Sequence, residues 1–177
     1  KCEREIEPQV KAQWFVTMKP LTEAAIQALN DKRVNILTEQ HDKIFRHWMS
    51  NIQDWNISRQ IVWGIPIPAK ICDGCDSGYV DIDNALVNCK SCNSLLRPET
   101  DTFDTWFSSG QWPLVTTGYP DSSDFKKYYP TALMETGADI LFFWVARMIM
   151  FGLYLTGDVP FKDVYLHGLV RDAKGKK

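Results

Sequence analysis

Residues 131–169, TALMETGADILFFWVARMIMFGLYLTGDVPFKDVYLHGL, restrict the fold more than any other stretch of this chain. TALMETG is a β-prone run ending on glycine, Ala138 and Asp139 make a turn, and a long apolar helix follows from about Ile140 to Leu155. A second strand, DVYLHGL at 163–169, comes after the turn-forming TGDVPF. Strand, helix, strand with short connections is the βαβ unit, which obliges both strands to run parallel in one doubly wound sheet with a right-handed crossover. The fold class is therefore α/β. Open parallel sheets bind ligands beyond the carboxyl ends of their strands, which here means Gly137–Asp139 and His167–Gly168.

The rest of the chain leaves room for that core and a small insert, not for two full domains, since it has 177 residues. A formal net charge of −2 argues against a chain-wide electrostatic grip on nucleic acid, so any such contact is local. The first residues, KCEREIEPQV, hold no apolar run of the kind a signal peptide needs. Ile140–Leu155 is broken by Arg147 and falls short of the roughly 20 residues that cross a bilayer, so it reads as a buried helix and no membrane contact is expected. Five cysteines, four of them in two close pairs, suit a reducing compartment, and the cytoplasm is the expected location.

Ahead of the βαβ unit, WFVT (14–17) and VNIL (34–37) are short strand candidates. Between them KPLTEAAIQALN (19–30) reads as a helix opened by Pro20 or Thr22 and closed by Asn30. From Glu39, the spacing of Ile44, Trp48, Ile52 and Trp55 predicts one apolar helical face, with Trp48 and Trp55 in packing roles and His41 and His47 structural or solvated. Pro66 and Pro68 then forbid regular helix. ETDTFDTWFSSGQWPLVTTGYP, at 99–120, is rich in turn-formers and aromatics and reads as a strand end leading into an aromatic-packed or functional loop.

CDGC at 72–75 and CKSC at 89–92 are the strongest local chemical signal. Tetrahedral zinc takes four thiolates, and two Cys-x-x-Cys knuckles present two sulfurs each, with glycine easing the bend. The metal ligands expected are Cys72, Cys75, Cys89 and Cys92. Four protein ligands close the coordination sphere, so this zinc is structural and offers no position for an activated water. Such ribbons occur both as nucleic-acid contacts and as staples, and a non-enzymatic zinc-ribbon module for RNA or a protein partner stays open on these residues alone. Cys2 has no assigned role.

Gly137, Asp139, His167 and Gly168 form a second constellation. A glycine there lets a ligand approach the backbone, a carboxylate accepts from ribose hydroxyls, and His-Gly frames a base or phosphate. Asp139 as a plain helix cap is an equal reading. Trp106 and Trp144 suit either the walls of a small rigid pocket or ordinary core.

WNISRQIVWGIPIPA, DTFDTWFSSGQWPL and YYPTALMETGADILFFWVARMIMFGLYLTGDVPFKDVYLHGLVRDAKGKK together resemble the catalytic domain of the class I aminoacyl-tRNA synthetases, and within them the valyl-tRNA synthetase family. The likeness covers essentially the whole chain and is densest from 101 to 177. Val62-Trp63-Gly64-Ile65-Pro66-Ile67-Pro68 is nearer the isoleucyl form, which keeps an isoleucyl-type fragment as the alternative; Ile140-Leu141-Phe142-Phe143 ahead of Trp144 follows the valyl pattern. The resemblance implies the second part of a class I Rossmann-type sheet, partial at 1–71 and 93–177, with a zinc-ribbon insert at 72–92 and with 1–20 returning from an absent editing insert.

It also implies the site. Trp106, Ile140 and Trp144 look like walls of a valine side-chain pocket. Gly137 and Asp139 look like the ribose side of an ATP or adenylate site, and His167, Gly168, Leu169 and Val170 like its adenine and phosphate side. Lys174–Lys177 would lead into the family's mobile KMSKS loop. No catalytic side chain is expected here, because the family's chemistry rests on positioning and on cations more than on a side-chain nucleophile or base, and the HIGH and KMSKS signatures are both missing. The full-length enzyme is expected to be a monomer that uses ATP, magnesium, valine and the acceptor end of tRNA(Val), while this fragment alone is expected to be inactive.

Overall fold

The structure is a computed structural model that describes Glu5 and residues 9–176. In chain order its elements are β1 (Phe15–Val16), α1 (Lys19–Asn30), β2 (Asn35–Ile36), α2 (Glu39–Ser50), β3 (Trp55–Asn56), β4 (Ser58–Arg59), β5 (Ala69–Cys72), β6 (Gly78–Val80), β7 (Leu96–Pro98), β8 (Thr102–Phe103), α3 (Thr105–Ser109), α4 (Trp112–Thr117), α5 (Ser123–Tyr128), β9 (Thr131–Gly137), α6 (Ala146–Thr156) and β10 (Phe161–His167). They fall into two compact units. One joins the described residues up to Val16 with Asn56–Thr102; the other contains Thr17–Trp55 and the described residues from Phe103 onward.

The second unit holds the βαβ core. β10 is the middle strand of a parallel sheet in the order β2-β10-β9, with Asp163 beside Leu133, Leu166 beside Thr136 and His167 beside Gly137. β9 has the bounds expected of TALMETG, while β10 begins and ends two residues earlier than DVYLHGL. Met134, Thr136, Val164 and Leu166 lie on one buried face. Leu133, Glu135 and Tyr165, on the opposite face, are exposed, so among the described residues the sheet is covered on one side.

α1 opens at Pro20, not Thr22: Met18 is the cap residue, and the buried Thr22 hydroxyl donates back to the Lys19 carbonyl. Thr22, Ala25 and Leu29 make its buried face, which packs on α6. α2 departs from the expected face. It ends at Ser50, where the Asn51 side chain donates to the His47 carbonyl, so Ile52 and Trp55 lie outside it. Its buried residues are Phe45 and Met49; Ile44, one position away, is 42% exposed. His41 bonds the Thr38 hydroxyl and His47 is exposed, as structural or solvated residues.

Two further expectations change. Most of the loop expected within 99–120 is helical, and a third short helix follows it: Asp104 caps α3 by accepting from the Trp106 amide, Pro113 sits in the first turn of α4, Gly118 closes α4 at φ 74°, and Ser122 caps α5. Helices of five or six residues are too short to show periodicity, and their caps are the readable signal. The segment after β9 is not one regular helix either. It runs as a 3-10 turn (Ala138–Ile140), a π turn (Leu141–Val145) and then α6. Counted whole, Ala138–Thr156 is 19 residues, long and apolar enough by composition to span a bilayer. Ala146, Met148, Ile149, Met150 and Gly152 are nevertheless buried, the pattern of a core helix.

The first unit is built on β5, paired antiparallel with β6 and β7. Lys70 on β5 is nearly buried with Asp81 at 3.0 Å and also donates to the Leu86 carbonyl at 2.5 Å. Burial alone would raise the Asp81 carboxyl; hydrogen bonds from Lys70, Leu86 and Ala85 outweigh it and hold the group below its ordinary value. Trp14 lies against Gly78, where an added Cβ would meet its ring at 2.7 Å, and its indole donates to Glu99 at 2.7 Å.

Candidate functional site

Two clusters of the expected residues form, one in each unit. In the first, β5 delivers Cys72 into a turn that ends at Cys75, and a second turn carries Cys89 and Cys92. The turns are near copies. Gly74 N–H donates to Cys72 Sγ and Ser91 N–H to Cys89 Sγ, each at 3.3 Å. The residue after each knuckle, Asp76 (φ 55°) and Asn93 (φ 61°), takes the left-handed conformation and returns its amide to the carbonyl of Cys72 or Cys89. Aspartate and asparagine, not the expected glycine, make the bend, as short polar side chains tolerate it.

All four Sγ atoms lie within 4.8 Å of one another, with 3.3 Å between Cys72 and Cys92 and 3.6 Å between Cys75 and Cys89. A tetrahedral ion with metal–sulfur bonds of about 2.3 Å needs sulfurs about 3.8 Å apart, so the four thiols fit a metal. Cys72 and Cys89 are buried; Cys75 and Cys92 face outward. Burial pushes the Cys72 thiol up to about 12, whereas the Tyr79 hydroxyl, 3.2 Å from Cys89 Sγ, helps to hold that thiol down at about 5. Cys2 lies outside the described residues.

In the second unit the parallel register sets Gly137 beside His167. A Cβ on Gly137 would meet Asp139 Oδ1 at 2.6 Å, Leu169 Cδ2 at 3.2 Å and His167 Cε1 at 3.7 Å. Three of the expected residues therefore converge on a fourth, Gly137, at the carboxyl ends of β9 and β10, and a Cβ there would crowd them. Asp139 is exposed and sits inside the 3-10 turn, whose cap residue is Gly137. His167 pairs with Glu135 at 3.3 Å through Nε2, and its Nδ1 bonds the Gly168 carbonyl at 2.8 Å. Gly168 and Val170 are exposed, and an added Cβ at Gly168 meets nothing within 4 Å, so they stand apart from the convergence. Lys177 lies outside the described residues.

The tryptophans form an aromatic layer fed by the π turn. Phe142 stacks on Trp48 at 4.5 Å, Phe143 on Trp106 at 5.7 Å, and Trp144 meets Trp112 edge-on at 6.3 Å. Three successive rings thus take three different partners. Trp144 Nε1 donates to the Ser109 carbonyl at 3.0 Å, tying the π turn to α3, and Trp106, Ile140 and Trp144 are all half-buried. Phe143, Glu135 and Asp104 were not singled out from the sequence. Only Asp104 carried a local signal there, as an N-cap residue two positions before Trp106.

A parallel sheet with Gly137 and Asp139 at the end of one strand and His167-Gly168 at the end of the next defines an α/β fold. The chain belongs to the class I tRNA synthetases (I, L, M and V), whose family description matches residues 3–177. Among curated relatives it is 50% identical to the valine–tRNA ligase of Syntrophotalea carbinolica and 49% identical to that of Symbiobacterium thermophilum, in each case over 100% of this chain and 20% of the relative. The chain thus spans about a fifth of the length of the curated relatives it matches. Solved structures bear out the fold. The methionyl-tRNA synthetase of Mycobacterium tuberculosis bound by methionyl-adenylate superposes with a TM-score of 0.64 at 20% identity, covering 93% of this chain and 28% of that one. The LeuRS of Agrobacterium radiobacter, in a ternary complex with tRNA and LeuAMS, gives 0.57 at 23% identity, covering 71% and 20%.

Proposed function

We propose that this chain is the later part of the catalytic domain of a valine–tRNA ligase. In that reading the whole enzyme activates valine with ATP and transfers it to the acceptor end of tRNA(Val). The observation that carries it is the convergence of Asp139, His167 and Leu169 on Gly137 at the ends of two neighbouring parallel strands. Asp139 accepts from the ribose hydroxyls. Gly137 lets the ligand lie against the backbone, and His167, steadied by Glu135, flanks the base and phosphate side together with Gly168, Leu169 and Val170. Trp106, Ile140 and Trp144 wall the valine side chain.

In the activation step a valine carboxylate oxygen bonds to the α-phosphorus of ATP as the bond to pyrophosphate breaks. No residue of this chain takes or gives a proton in that step; these residues bind and orient, which is where the rate gain from proximity arises. Magnesium, when bound, offsets the phosphate charge. We assign zinc to Cys72, Cys75, Cys89 and Cys92 as a structural ion, because four thiolates close its shell. The domain division that accompanies this reading is a partial nucleotide fold at 1–71 and 93–177 interrupted by the cysteine insert at 72–92, with 1–20 returning from an editing insert, in a cytoplasmic, monomeric enzyme.

The test is valine-dependent ATP–pyrophosphate exchange by the full-length protein carrying this segment. Exchange with valine that falls at least tenfold in Asp139→Ala supports the reading; exchange with isoleucine in preference to valine, or an indifferent Asp139→Ala, overturns it. Loss of RNA binding on deleting 72–92, with Asp139 and Trp106 indifferent in every assay, would instead favour a zinc-ribbon module.

A further inference from the structure

Arg147 lies on α6, immediately after the π turn, and is only 6% exposed. Its guanidinium carbon stands 3.9 Å from the centre of the Trp55 ring and 5.6 Å from that of Trp48, and Nη1 is 3.6 Å from Met18 Sδ. Its Nε is buried with no hydrogen-bond partner among the described residues. Burial lowers its pKa to about 10 against the opposing pull of the Asp104 carboxylate, so the side chain stays cationic at neutral pH. An apolar side chain would fill this interior without desolvating a charge. The charge therefore has a use besides filling space.

Asp104 shows what that use is. It is itself buried. Among its contacts, one oxygen accepts from the Trp106 amide at 3.1 Å and the other from the Trp55 indole at 3.0 Å. Arg147 covers the face of the same indole, so the Trp55 ring links it to that carboxylate, which its charge attracts. Trp106 is thus held twice: its backbone by Asp104, and its ring by Phe143, which lies one helical turn before Arg147. Trp55, Asp104 and Arg147 come from β3, the start of α3 and α6, and Trp106 is where their constraints meet.

We propose that Arg147 is a positioning residue for the amino-acid pocket: through Asp104 and Trp55 it fixes Trp106, and so sets affinity for the amino-acid side chain without touching it. The inference rests on the reading of Trp106 as a pocket wall.

Steady-state pyrophosphate exchange in the full-length protein, with KM measured for valine and ATP separately, tests it. Arg147→Met should raise KM for valine about tenfold and leave KM for ATP within about twofold, with Arg147→Lys between the two. Asp104→Asn combined with Arg147→Met should add little to either single change, as expected of groups in one network. A purely structural role would lower the melting temperature and the active fraction, and hence kcat, while leaving both KM values in place. That pattern overturns the proposal, as does a valine KM within about twofold of wild type in folded Arg147→Met. If the Met variant does not fold, the Lys variant decides by the same comparison. Wild-type protein that exchanges only with another amino acid, or not at all, overturns the reading of the pocket and this inference with it; wild-type valine exchange with an unmoved KM overturns the inference alone.

Discussion

Phe45, Phe161, Met49, Leu141, Met148 and Ile149 have almost no exposed surface, and all belong to the unit with the parallel sheet. In the cysteine unit the only side chain in that class among the described residues is Cys72. There the large apolar residues face outward instead, with Val62 and Trp63 almost fully exposed and Val80, Ile82, Val87 and Leu95 largely so. Each large apolar side chain fully buried is worth about 1.5–3 kcal/mol. The sheet unit has many of them. The cysteine unit has Ile57, Ile67 and Ala69, besides the two inner cysteines. A set of four thiolates binding zinc supplies on the order of 10–16 kcal/mol at neutral pH, which is ample where a core is thin. On the proposed zinc, one unit would be held by what it excludes from water and the other by the metal its sulfurs bind.

The sharpest way to break that contrast is to remove the metal. One zinc per chain is expected by atomic absorption, and Cys89→Ser should reduce it below a tenth of wild type, to about the background level. In a 1H–15N correlation spectrum the same change should collapse the resonances of Asn56–Thr102 while those of β9, α6 and β10 keep their positions. Loss of both sets would show that the sheet unit depends on the ribbon. Next in size is the core. Phe45→Ala should cost about 3–5 kcal/mol in denaturant unfolding of the sheet unit and leave zinc stoichiometry alone.

A smaller effect is expected at alkaline pH. Burial raises the Tyr129 phenol to about 12, against an ordinary value of 10. Because the folded pKa is the higher, its contribution is complete below pH 10 and is lost as pH rises towards 12. Wild type should therefore lose stability across that window faster than Tyr129→Phe in pH-dependent melts. Smallest of all, Glu135→Gln removes the ion pair with His167, both exposed, and should change stability by less than about 0.5 kcal/mol. A larger loss there would mean that the strand ends are a structural joint as well as a site.

What could be read from the sequence follows the reach of each interaction. The cysteine spacing, the limits of β9 and the placing of Gly137, Asp139 and His167 at strand ends depend on neighbours in the chain, and they were legible. The face of α2 was misjudged because Ile44 and Phe45 fit helical spacing equally well, and only tertiary packing chooses Phe45. The π turn left no local mark: it exists because Phe142, Phe143 and Trp144 each find a ring on a different element. Arg147 appeared in the sequence as an interruption of an apolar run. Its partners Trp55 and Asp104 are distant in the chain, so its meaning needed the fold.

That interruption falls at the midpoint of Ala138–Thr156, with nine residues on either side. To the machinery that sorts nascent chains, this is the segment's least acceptable position for a cation, opposing insertion by about 2.5–3.5 kcal/mol where each Leu, Ile, Phe or Val favours it by about 0.3–0.6. Before any sheet or pocket has formed, Arg147 already weakens the segment as a membrane span.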